Sequence, residues 1–75
     1  MIKLADLKKG QKGIIDSFSD SELSLKLMEM GCLPGEKIFI QRKAPLGDPI
    51  AISISGYSLS LRSEEAKTIL VNLEK

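Results

Sequence analysis

Apolar residues recur at every second position over three stretches of the chain and at helical spacing over one. Ile38 and Ile40 alternate with Lys37, Phe39 and Gln41; Ile50, Ile52 and Ile54 alternate with Ala51, Ser53 and Ser55; Tyr57, Leu59 and Leu61 alternate with Ser58, Ser60 and Arg62. A period of two sends one set of side chains inward and the other outward, so each stretch predicts a half-buried strand. Ser55 and Gly56 join the last two and suit a two-residue hairpin turn. Leu23, Leu27 and Met30 fall instead at i, i+4 and i+7, one stripe of an amphipathic helix. Ser19 with Glu22 three residues on reads as a capping box, and Gly31 suits the left-handed exit, so a helix is predicted from Asp20 to Met30.

The run Ile14 to Phe18 predicts a strand before that helix, and Ile69, Val71 and Leu73 predict one at the end of the chain. Between them, Ser63 ahead of Glu64 and Glu65 predicts a short capped helix, with its acids at the positive end of the helix dipole. Leu4 to Gly10 is too short for a stable free helix and reads as a lead-in, with Leu4 and Leu7 placed to seat one turn. Five short strands with a helix after the first cannot cover a two-layer sandwich. A small bent barrel that hides its sheet edges is the economical solution. The expected fold is mainly β: a small SH3-like five-stranded barrel with one inserted helix and a short second helix. An oligonucleotide-binding barrel ranks second, because its helix normally falls between the third and fourth strands.

At 75 residues the chain is expected to form a single domain, 1–75. Its hydrophobic share is 43% but its aromatic share only 4%, so the core must come from many Leu, Ile and Val side chains. Eleven basic residues against ten acidic ones leave a net charge of +1, with no strong pull toward polyphosphate. No apolar run approaches the ~18 residues of a membrane span, and no charged segment leads into an apolar one at Met1, so a cytoplasmic location is expected.

Little catalytic chemistry is available. The chain has no histidine and one cysteine, with no P-loop and no nucleophile elbow, so no enzyme and no cofactor are expected. One Cys cannot make a structural zinc site. The cluster Asp16, Asp20 and Glu22 lacks the spacing of a calcium loop and reads as helix-start chemistry. Cys32, between Gly31 and Leu33, reads as a small buried hydrophobe. Lys3, Lys8, Lys9 and Lys12 make a basic N-terminal patch without an aromatic ladder for stacking bases. A small nucleic-acid-binding β-barrel is therefore the alternative reading, not the leading one.

"LMEMGCLPGEKIFI", "APLGDPIAISISGYSLSLR" and "EEAKTILV" together resemble the ferrous iron transport protein A (FeoA) family, small cytoplasmic SH3-like proteins, over nearly all residues after Gly13. The resemblance implies an accessory, non-enzymatic role in bacterial ferrous iron uptake. The implied partner is the membrane transporter FeoB, which carries a cytoplasmic G-protein domain; nucleic acid is not implied, and contact with the membrane is expected only through that partner. It also brings transition metal ion binding into view, with no residue of this chain assigned as a ligand. Cys32 stands where the family usually has an aliphatic residue, in keeping with a core position.

The stretch from Ala44 to Pro49 is stiff by composition. Pro45 presets φ for a turn's first corner, Gly47 suits its exit, and Pro49 restricts Asp48 to extended backbone. Leu46 at the apex is either a pre-ordered apolar tip for a partner or a side chain folded back on the barrel. The expected partner-binding residues are Ala44, Pro45, Leu46, Gly47, Asp48 and Pro49 in this loop, with Met28 on the helix.

Overall fold

A computed structural model describes residues 1–74. The pairing of β4 (Ile50–Ile54) with β5 (Tyr57–Leu61) is the one the alternation predicts, with Ile54 opposite Tyr57 and Ile50 opposite Leu61. Ser55 and Gly56 both take positive φ, 51° and 84°, which is the geometry that lets a two-residue turn follow the right-handed twist of its strands. β3 (Lys37–Lys43) pairs with β4 through a bulge between Ile40 and Arg42. On its other side β3 pairs with β2 (Lys12–Phe18), which begins two residues earlier than the apolar run suggested. β6 (Ile69–Glu74) lies against β2, with Asp16 as the extra residue of a second bulge.

The mainly β, SH3-like architecture is as expected, with one strand more than the five read from periodicity. Ile2–Lys3 form a two-residue β1 on β6, so the antiparallel sheet runs β1-β6-β2-β3-β4-β5. Two residues are too few to show a period, so the sequence pattern could not reveal this edge. The lead-in becomes a single 3-10 turn at Leu4–Asp6, and both Leu4 and Leu7 are fully buried.

The first helix, α1, spans Ser21–Glu29, one residue shorter at each end than predicted. Its cap is Asp20 and not Ser19: Asp20 Oδ1 accepts from the N–H groups of Glu22 and Leu23 at 2.9 and 3.0 Å. A carboxylate there satisfies two orphan amides and meets the positive end of the dipole. Ser19 is held away by a long-range bond, its N–H donating to the Thr68 carbonyl at 2.8 Å. Met30 is the C-cap, followed by Gly31 at φ +105°. The Gly31 N–H donates to the Met28 carbonyl and the Cys32 N–H to the Leu27 carbonyl, at 3.0 and 2.9 Å, closing the helix in a Schellman motif.

The second helix, α2, spans Ser63–Ala66. Ser63 is its first helical residue and not its cap; Arg62 holds the cap position, and Glu65 Oε1 accepts from the Arg62 N–H at 2.9 Å. The core is almost wholly aliphatic: Ile38, Ile40, Ile50, Ile52, Ile54, Ile69 and Val71 from the sheet meet Leu27 of α1 and Leu4 and Leu7 of the lead-in. Each such side chain contributes about 1.5–3 kcal/mol when taken out of water, which is how a chain so poor in aromatics holds one core.

Candidate functional site

The β3–β4 connection, residues 44–49, is a tied loop. Lys43 and Ile50 face each other at its base, and the Ala44 N–H donates to the Pro49 carbonyl at 3.1 Å. Within it the Gly47 N–H donates to the Ala44 carbonyl at 2.7 Å, with Pro45 at the first corner and Gly47 leaving at φ +84°. The Asp48–Pro49 peptide is cis. Two further bonds fix the loop to distant parts of the chain. Asp48 Oδ1 accepts from the Ser63 N–H at 3.0 Å, which uses the loop's acid as a partner for the first amide of α2. Lys43 Nζ donates to the Ala5 carbonyl at 2.7 Å and pins the loop's base to the 3-10 turn.

Leu46 is 96% exposed at the apex. The turn bond beneath it and the anchors on either side hold the loop, and the Leu46 side chain is not folded back onto the sheet. Beside the tip lies a groove of about 300 Å³, lined by Pro45 and Pro49 with Arg42, Lys43, Ala51 and Ser60. Its lining is largely apolar with two cationic residues, Arg42 and Lys43, of which the Lys43 ammonium is already engaged by the Ala5 carbonyl. That combination suits an apolar segment with an acidic flank.

The structure gathers Ala44, Pro45, Leu46, Gly47, Asp48 and Pro49 into this one surface, but it does not bring Met28 to them. Met28 is half-buried on α1, whose C-terminal end is tied to the start of β5: the Tyr57 hydroxyl donates to the Met30 carbonyl at 2.7 Å. The loop joins the opposite end of that hairpin, at Ile50. Five residues of strand separate the two ends, a span of ~17 Å.

Two titratable residues outside the loop are buried, and one of them was not legible in the sequence. Glu65 is buried, yet charged: Lys26 Nζ of α1 stands 2.9 Å from its Oε2 while the Arg62 N–H bonds its Oε1. The Arg62 bond first, and the Lys26 bond second, hold the Glu65 carboxyl below its usual range against the opposing effect of burial. The Arg62 bond is local to the cap of α2, but Lys26 belongs to another helix, so only the pairing of α1 with α2 in space reveals that partner. Cys32, the other, is fully buried, and burial with the Glu65 charge nearby pushes its thiol up to about 11. A thiol so held stays protonated and packs as an apolar group.

Among the described residues no group of three or more Cys, Asp or Glu side chains is arranged to hold a metal ion. Asp16 sits in a bulge and Asp20 caps α1. Lys3, Lys8, Lys9 and Lys12 are all exposed, but Lys12 lies opposite Glu74 in the ladder, and Glu74 also pairs with Lys37 at 3.3 Å. No helix among the described residues is long and apolar enough to cross a membrane.

Residues 2–73 match the FeoA domain family model. The chain belongs to the FeoA family. A curated FeoA relative, a Fe(2+) transport protein A/Fe(2+) transporter FeoB fusion protein of Porphyromonas gingivalis (strain ATCC BAA-308 / W83), is 34% identical over 73 residues. That match takes in 96% of this chain but 9% of the fusion protein. The NMR structure of a FeoA-like protein from Clostridium acetobutylicum superposes with a TM-score of 0.90 at 44% identity, over 96% of this chain and 85% of that one. Stenotrophomonas maltophilia FeoA complexed with zinc gives a TM-score of 0.82 at 25% identity, covering 96% of this chain and 91% of its own. It is described as a prokaryotic SH3 domain protein and a candidate ferrous iron transport activating factor.

Proposed function

We propose that this chain is a non-enzymatic accessory and regulatory protein of bacterial ferrous iron uptake, working in the cytoplasm. In this reading it engages the cytoplasmic part of a FeoB-like transporter, the G-protein domain, through the tip and groove of the 44–49 loop. The observation that carries the reading is the Porphyromonas gingivalis relative, in which a FeoA segment and a FeoB transporter share one polypeptide. A covalent link of that kind raises the effective concentration of two modules that act on one another. The loop supports the same reading from physics. Its tip is apolar, exposed and already ordered, so docking it costs little conformational entropy.

Calorimetry of this protein with the transporter's isolated cytoplasmic domain tests the proposal. Leu46→Asp should weaken binding at least tenfold, since a pocket for leucine would lose about 1.5–3 kcal/mol of apolar burial and meet an unpaired charge. The melting curve should not move, because Leu46 makes no core contact. Binding by Leu46→Asp that equals wild type would reduce the loop to a connector. Wild-type binding that collapses with added salt would point to the lysine patch and a phosphate-bearing partner.

A further inference from the structure

β5 is one of the sheet's two edges, the other being the two-residue β1: its one strand partner is β4. In a hairpin closed by a two-residue turn, the pair flanking the turn exchanges both main-chain bonds, and the pattern then alternates. Ile54–Tyr57, Ile52–Leu59 and Ile50–Leu61 are therefore the bonded pairs. The N–H and C=O groups of Ser58 and Ser60 point away from β4, and among the described residues no turn, cap or side-chain contact bonds either main chain. Both serines are exposed.

Edge strands of stable domains are usually guarded by a charge, a proline or a bulge. Residues 57–61, Tyr-Ser-Leu-Ser-Leu, contain none of the three. We propose that this edge pairs with the same edge of a second copy of the chain, antiparallel across a two-fold axis at Leu59. Ser58 of each copy then lies opposite Ser60 of the other, and the two pairs exchange four main-chain hydrogen bonds. Leu59 meets its own symmetry mate, and Tyr57, 44% exposed, faces Leu61 across the seam on the core side. The occupant follows from the edge itself: it is self-complementary, free of charge and thus without like-charge repulsion when doubled, and the whole chain carries only +1. The contact is small, so the dimer is weak and reversible.

Amide hydrogen exchange and sedimentation velocity over a concentration series test this on the full chain. The Ser58 and Ser60 amides should exchange quickly when dilute and gain protection together as the sedimentation coefficient rises. Ser60→Pro deletes an N–H that β4 does not use, so it should weaken self-association at least tenfold while the melting curve holds; Ser60→Ala keeps the N–H and should associate as wild type. A chain that stays monomeric at millimolar concentration overturns the proposal, as does Ser60→Pro that associates normally. If Ser60→Pro unfolds, the exchange experiment on wild type decides alone, and concentration-independent exchange at Ser58 and Ser60 is the negative result. Protection that appears only on adding the transporter's cytoplasmic domain would also overturn self-pairing, by assigning the edge to a partner strand.

Discussion

Lys26 Nζ on α1 stands 2.9 Å from Glu65 Oε2 on α2, and this ion pair joins the two helices. Its two members differ in exposure, 61% for the lysine side chain and 8% for the glutamate, so their roles differ. Lys26 is largely solvated and contributes about 1 kcal/mol or less. Glu65 sits where an unpartnered charge would be costly, and its second oxygen is needed by the Arg62 amide.

Glu65 therefore sets an acid limit on stability. Its folded carboxyl titrates below the usual 4.5, so its contribution is complete above about pH 4.5 and is lost as pH falls through the lower folded value. Denaturant titrations from pH 7 down to pH 3 should show a falling stability, and Glu65→Gln should flatten that fall. At pH 7 the Gln variant should be about 1–3 kcal/mol less stable. An unchanged acid limb in Glu65→Gln would move the effect to other carboxylates.

Gly31 answers to Tyr57 as well as to its own backbone. A Cβ at this position would run into the Tyr57 hydroxyl, and φ +105° is already unfavourable for a side chain. Gly31→Ala should cost about 1–2 kcal/mol for the left-handed backbone alone, with displacement of Tyr57 added. Tyr57→Phe should cost about 1 kcal/mol for the lost bond to Met30, and combining it with Gly31→Ala should give less than the sum. A strictly additive double-mutant cycle in thermal melts would show that the two positions do not share this contact.

Cys32 fills the apolar place of the Schellman motif against Leu27, both fully buried. Cys32→Ala should lower the thermal midpoint by several degrees, since 1 kcal/mol is worth about 4–8 °C in a domain of this size, and should leave binding to the transporter's cytoplasmic domain intact. Cys32→Val should recover part of the loss. A thiol that reacts quickly with an alkylating probe at pH 7 in the folded protein would contradict its raised pKa of about 11.

Asp48 links the loop to α2 through the Ser63 amide. Asp48→Ala should leave Leu46 in place but less firmly held, so binding should weaken by a few fold with a more unfavourable entropy in calorimetry. The Leu46→Asp effect is larger and comes from lost contact. Equal losses from both substitutions would mean that Asp48 itself touches the partner.

Turns and periods act over a few residues, and what they govern was legible in the sequence. Ser55-Gly56 and the alternating residues around it determined the β4–β5 hairpin and its register, because a two-residue turn leaves only one way to match the apolar faces. The stripe of Leu23, Leu27 and Met30 with Gly31 determined α1 to within one residue at each end, and Pro45 with Gly47 determined the tight turn of the loop. Tertiary structure decided the rest. Which of Ser19 and Asp20 caps α1 was settled by Thr68, some fifty positions away, claiming the Ser19 amide. β1 exists because β6 offers it a partner, not because two residues prefer to be extended. Glu65 stays charged because the Arg62 amide bonds one of its oxygens and Lys26 arrives from another helix to meet the second. The loop that presents Leu46 is held firmly because Asp48 and Lys43 bind it to α2 and the 3-10 turn, and both bonds need groups that meet only when the sheet has closed around its core.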